Sequence, residues 1–293
     1  MDKGCKYVWL TILFTLLTIV PAGCDRMSSD DADPSVSDGP VTVAFGLERG
    51  NSGVIAIENG ETTRTFILPD GKRAQWEDND KILLWAKSGN GSFAISGTPF
   101  SVMANGNDEA IFTATLPQPM KEDTYTYYAC YPQPVSISNT TAVFSLPAIK
   151  KGRAADGEDI MVSAPLTGGA LKPYKSGDDT GIKIRMEHLL HLLRFYLPAG
   201  SNGLNGENIE RIVARFPSNV AGNVTKDIAR SSAPTLSNGV SEIEIIPETA
   251  LAPSGQSSRN YACAAIFPTE FGQGAQMELV LYSDNWIGYV API

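Results

Sequence analysis

Lys81-Ile-Leu-Leu-Trp-Ala86, Ala110-Ile-Phe-Thr-Ala-Thr-Leu116 and Tyr125-Thr-Tyr-Tyr-Ala-Cys130 decide the fold class. Each is a short run rich in aromatic, aliphatic and threonine side chains that change face at every step, a period of two that suits a pleated strand. Outward from these, Val41-Thr-Val-Ala-Phe45, Thr141-Ala-Val-Phe-Ser-Leu146 and Gly181-Ile-Lys-Ile-Arg-Met186 alternate in the same way. Gly, Pro, Asn and Asp punctuate the chain between such segments. Strands this short, separated by turn formers at intervals of roughly ten residues, predict an all-β sandwich.

One segment competes as a helix. Glu187 to Leu197 (EHLLHLLRFYL) spaces Leu189, Leu193 and Leu197 for a helix, but Leu189, Leu193, Phe195 and Leu197 also share one face of a strand. The strand reading is preferred, with a bulge near Glu187-His188 where the apolar phase changes.

The first 24 residues, MDKGCKYVWLTILFTLLTIVPAGC, set the compartment. Lys3 and Lys6 form a charged start, Val8 to Val20 is uncharged, and Pro21-Ala22-Gly23-Cys24 resembles the lipobox of a bacterial lipoprotein signal. The apolar run is shorter than the roughly 20 residues of a membrane span. Residues 1–23 are therefore expected to be a signal peptide, with Cys24 lipidated and holding the protein at the outer membrane. Residues 24–39 are polar and acidic and read as a flexible tether. Their Ser29-Asp30-Asp31 cluster resembles the surface-export signal of Bacteroidales lipoproteins.

The chain has 293 residues and a formal charge of −9, with no basic cluster interleaved with aromatics, so nucleic acid is not an expected partner. Its length beyond the tether favours two domains. The Pro198-to-Gly206 stretch, dense in turn formers, marks the boundary, giving sandwiches at 40–198 and 207–293. Tyr128-Ala-Cys-Tyr-Pro132 and Tyr261-Ala-Cys-Ala-Ala-Ile-Phe-Pro268 repeat a motif across that boundary. Cys130 and Cys263 remain once Cys5 and Cys24 are set aside, either as buried thiols or as a bridge.

The order of motifs resembles the fimbrillin family of Bacteroidales surface lipoproteins. The resemblance rests on Trp76-Glu-Asp-Asn-Asp-Lys-Ile82, similar to that family's Trp-x-x-Gly-Asp-x-Ile step, and on Ala110 to Pro117, Tyr127-Tyr-Ala-Cys-Tyr-Pro132 and Phe144-Ser-Leu-Pro147. Asp159-Ile-Met-Val-Ser-Ala-Pro165 and Ile184 to Phe195 continue it. It implies two tandem transthyretin-like β-sandwich domains and, in polymerising members, fimbriae built by strand exchange. There an arginine-specific protease removes an N-terminal strand and a neighbouring subunit fills the vacated groove. Carried onto this chain, Val41, Val43, Phe45 and Leu47 belong to the removable strand and Arg49 is the cleavage position, with Arg64 and Arg73 as alternatives. The implied partners are other fimbrial subunits and a host or bacterial surface ligand. Against polymerisation, fewer than 90 residues follow the boundary and no long alternating segment near Trp286-Ile-Gly-Tyr-Val-Ala-Pro-Ile293 looks like a free donor strand.

No catalytic motif is found, neither a nucleophile elbow, a His-Glu-x-x-His zinc motif nor a phosphate loop, and no cofactor is expected. His188 and His191 point to opposite faces of a strand and cannot chelate one metal there. Glu77 to Asp80 and Asn105 to Glu109 carry calcium-type oxygens, but read better as turns. A competing function is a glycan-binding surface lipoprotein in which Trp76, Trp85 and Trp286 stack on sugars. Core packing is the preferred reading for Trp85.

Overall fold

The computed structural model describes residues 39–47, 66–67, 74–76, 80–105, 110–151, 158–195, 197, 206–252, 261–285 and 287–290. Among the described residues every regular element is a strand and none is a helix. The first half opens with β1 (Val41–Leu47), two short strands β2 (Phe66–Ile67) and β3 (Ala74–Gln75), then the long pair β4 (Lys81–Ser88) and β5 (Phe93–Asn105). There follow β6 (Ala110–Leu116), β7 (Tyr125–Tyr131), β8 (Ser136–Ser138), β9 (Thr141–Leu146), β10 (Ile149–Lys151), β11 (Met161–Ser163) and β12 (Leu166–Gly168). The remainder comprises β13 (Lys183–Ile184), β14 (Met186–His188), β15 (His191–Phe195), β16 (Arg211–Arg215), β17 (Ala221–Asp227), β18 (Thr235–Val240), β19 (Glu242–Ile246), β20 (Ala262–Ile266), β21 (Glu278–Tyr282) and β22 (Ile287–Val290).

The largest sheet has nine strands in the order β13-β1-β6-β5-β4-β7-β11-β14, with β12 also paired to β7. Its two outermost strands, β13 and β14, are separated in sequence by Arg185 alone. One residue spans only a few ångströms of chain, so the sheet must curl until its edges approach. The space it encloses is the first core, filled by Phe45, Phe100 and Phe112, by Ile82 and Leu84, and by Tyr127 and Ile184. Trp76 belongs to it as well, meeting Phe112 and Tyr131 edge-on with ring centroids 5.2 and 4.9 Å away.

The same sheet is buried on its other face where β4, β7 and β11 run. Along β4, Ile82, Leu84 and Ala86 enter the first core, whereas Leu83 and Trp85 enter a second. Tyr128, Cys130 and Val162 point the same way as Trp85. This second core also takes Phe144 and Leu146 from β9, Val224 from β17, Ile212 from β16, Ile243 and Ile245 from β19, and Ala264 from β20. Close packing against Trp85 explains one glycine. Gly97 sits at φ +63, and a Cβ there would lie 3.1 Å from the indole, so its lack of a side chain serves both the backbone conformation and the approach.

The strand pairing does not follow a linear division at 198–206. β9 pairs with β17 over six residues, β10 runs parallel to β19, and β15 pairs with β20, so strands from before that stretch build the second core with strands from after it. Residues from Ser37 onward form one compact unit. In the contested Glu187–Leu197 segment the strand reading holds, but the chain breaks at Leu189-Leu190 and changes sheets, where a bulge within one strand was expected. The apolar phase changes there because β14 and β15 serve different sheets.

Candidate functional site

β1 is the described element with the clearest bearing on function. It pairs antiparallel with β6 over its whole length, from Val41 opposite Leu116 to Leu47 opposite Ala110. Val43, Phe45 and Leu47 are fully or almost fully buried in the first core. The Phe45 ring is stacked on Phe112 at 5.6 Å and tilted against Phe100 at 5.1 Å. Burying a side chain of this size contributes about 1.5–3 kcal/mol. β1 is therefore held chiefly by apolar pockets at alternate residues, and without it the first core would lie open beside β6.

The opposite edge of β1 has no continuous partner strand. A loop covers it in two places. Tyr174 N–H donates to Thr42 C=O at 2.8 Å beside a Val43–Pro173 bridge, and Gly46 N–H donates to Ile182 C=O at 2.9 Å, where β13 adds two parallel pairs, Gly46 with Lys183 and Leu47 with Ile184. Nothing in the side-chain pattern of residues 173–182 announces this role, since its contacts to β1 are made by backbone groups in a stretch that reads as a turn. Cys24, Arg49, Arg64, Arg73 and Trp286 lie outside the described residues.

The other residues singled out from sequence are structural. Trp76 and Trp85 are both closed from solvent, so neither presents a ring on which a sugar could stack. Asp80, the acid of the Trp76-to-Ile82 motif, is buried and accepts a hydrogen bond from Tyr131 Oη at 2.8 Å. That motif builds the first core through Trp76 and Ile82 and seats Tyr131 through Asp80.

Cys130 and Cys263 are free and buried. Burial pushes both thiols up to about 12, far from the thiolate form that reacts. Iodoacetamide near neutral pH is expected to leave both unmodified in the folded protein and to alkylate both after unfolding. Mass spectrometry reads the outcome, and fast labelling of either thiol in the folded state would contradict the packing described.

His188, on edge strand β14, bonds through Nδ1 to Asp159 Oδ1 at 2.6 Å, while His191 is exposed on β15. The hydrogen bond to Asp159 raises the His188 pKa above its ordinary 6.5, outweighing desolvation. A folded-state value above the unfolded one means that the pair's stabilisation is complete below about pH 6.5 and is lost as pH rises through the folded value. The gap in urea midpoint between the native protein and His188→Asn should therefore be larger near pH 5 than near pH 9. An equal gap at both would remove the pair from the stability balance. Among the described residues no group of three or more His, Cys, Asp or Glu is placed to hold a metal ion.

The chain belongs to the fimbrillin-like family, which it matches over residues 63–285, so β1 lies just N-terminal to the matched region. No curated protein matches it. Among solved structures it is similar to a candidate adhesin from Bacteroides ovatus, at 8% identity over 87% of this chain and 76% of that one, with a TM-score of 0.39. It is also similar to the fimbrial anchor protein Mfa2 of Porphyromonas gingivalis, at 13% identity over 83% and 78% of the two chains, with a TM-score of 0.30. Membership of this family, one of fimbrial structural proteins, implies a location at the cell surface or in fimbriae.

Proposed function

We propose that the protein is a lipid-anchored surface member of its family and serves as a structural or accessory subunit of fimbriae assembled by β-strand exchange, with a role in adhesion. The observation that carries this reading is the seat of β1. The strand fills apolar pockets through Val43, Phe45 and Leu47 and has one full-length partner in β6, and in the sequence Arg49 follows two residues after Leu47. Cleavage after Arg49 would separate β1 from the rest of the chain, and its loss would open a cleft that main-chain hydrogen bonds and alternate pockets fit for a strand of another subunit. Lipidation at Cys24 anchors the precursor to the outer membrane before processing. In this reading the two cores correspond to the two sandwich domains, and β8 to β10 and β15 contribute to the second.

The test is made on intact cells producing the full chain, with and without an arginine-specific protease, extracted in SDS without boiling and blotted for the protein. A ladder of high-mass species that requires the protease and vanishes in Arg49→Ala is the expected result. A lone monomer band under every condition would overturn assembly by strand exchange.

A further inference from the structure

At one end of the second core two aromatic rings are stacked, one inside the protein and one outside. Phe216, directly after β16, is 8% exposed, whereas Phe271, in the loop between β20 and β21, is 42% exposed. Their centroids lie 6.1 Å apart with the ring planes 17° from parallel, so one side of the Phe271 ring rests on Phe216 while the remainder meets water. Backbone hydrogen bonds fix both partners. Phe216 N–H donates to Ser241 C=O at 2.8 Å, Phe267 N–H donates to Val220 C=O at 2.8 Å where the loop begins, and Ala275 N–H closes a turn on Gly272 C=O at 3.0 Å. Of the large apolar side chains exposed among the described residues, Phe271 alone is aromatic. A single exposed aliphatic residue is ordinary on a protein surface. A flat ring held in place by a second ring is a platform, and little side-chain freedom is left to lose when something settles on it.

The charges around this platform are acidic. Arg215, the residue before Phe216, donates through Nε to Glu242 Oε2 at 2.7 Å and through Nη1 to Glu278 Oε2 at 3.1 Å, so its positive charge is already engaged by two carboxylates. Glu270, next to Phe271, is exposed, as are the amides of Gln273 and Gln276 in the same loop. Resting on the adhesive role proposed above, though not on strand exchange, we propose that Phe271 is the stacking platform of a glycan-binding site whose ligand is a neutral polysaccharide. The face of an aromatic ring is electron-rich and attracts the weakly positive C–H groups on one face of a pyranose. One ring matches one sugar, and glutamine amides both donate to and accept from hydroxyls. The three carboxylates against one guanidinium repel sugars that carry carboxylate or sulfate groups. Phe271 thus takes the part for which the buried Trp76 and Trp85 are unavailable. It lies against the second core whereas β1 fills the first, so the two surfaces serve different partners. Binding through one platform is weak, and many subunits on one cell surface make it effective by avidity.

The test uses the full chain, untreated with protease, in a detergent without a sugar head group. Because no assembly step is involved, failure of strand exchange and failure of this inference are told apart. The protein is run in native gels cast with hydroxyethylcellulose, galactomannan, mannan or polygalacturonate and compared with a gel that holds none. At least one of the three neutral polymers is expected to retard it, and anionic polygalacturonate is expected not to. Phe271→Ala should weaken the apparent affinity about three- to tenfold, the worth of one aromatic contact. Phe271→Leu, which keeps apolar bulk without a flat face, should lose as much, and Phe271→Trp should bind at least as well as the native chain. The urea midpoint of each variant should match the native one, since the ring is not needed for the core. Retardation by none of the neutral polymers, equal retardation by polygalacturonate, or native binding by Phe271→Ala would each overturn the inference. Native binding by Phe271→Leu would overturn it too, by showing that the loop offers an apolar contact and not a stacking face.

Discussion

Replacing Trp85 by alanine should lower the stability of the fold by about 3–5 kcal/mol, the range for removing a fully buried large aromatic. Trp85 is 1% exposed and projects from β4 into the second core, between strands that come from distant parts of the chain. The indole rests against the backbone of Gly97, which carries no side chain to fill the vacated space. The cavity is therefore expected to stay largely open, which places the cost near the upper part of the range. Urea unfolding followed by far-ultraviolet circular dichroism gives the number. A loss below about 1 kcal/mol would mean that the second core repacks freely and that Trp85 does not join the nine-stranded sheet to the strands beyond it.

Tying β1 to β6 should abolish assembly altogether. Thr42 and Thr115 are directly opposed in the antiparallel register, on the exposed side, with their hydroxyl oxygens 3.5 Å apart. Opposed residues of an antiparallel pair lie within the Cα separation that a disulfide spans. The double variant Thr42→Cys, Thr115→Cys, once oxidised, keeps β1 covalently in its seat even after the chain is cut at Arg49. Protease-treated cells are then expected to give only monomer in the unboiled SDS blot, and reductant added before treatment should restore the ladder. A full ladder from the oxidised variant would show that some other strand leaves, which would move the site away from Val41–Leu47. The variant reports on β1 without altering the apolar face that any incoming strand must fill.

The two experiments probe different layers of what was legible. β4, β6, β7 and β9 could be read from alternation because side-chain direction along a strand is a local property with a period of two. The same alternation does not say whether the second face meets water or another layer. Leu83 and Trp85 look no different in sequence whether the far side of β4 is solvent or a second core, and here it is a core. Pairing partners were illegible for a related reason. β9 finds β17 and β15 finds β20 across the turn-rich 198–206 stretch, and hydrogen bonding between backbones carries no residue code. The family motif from Trp76 to Ile82 was visible as a pattern, yet its role in seating Tyr131 through Asp80 emerges only when residues some fifty positions apart are brought together.

By itself, the sequence determined the all-β class, the strand character of Glu187–Leu197 and the membership expected from its motifs, because all three rest on side-chain identity along short stretches. Tertiary structure alone decided that Trp76 and Trp85 face cores, that Cys130 and Cys263 stay apart as buried thiols, and that β1 sits between β6 and a loop that covers its far edge in two places. Those outcomes depend on which backbone amides and carbonyls meet across long chain separations, and the main chain presents the same groups at nearly every residue.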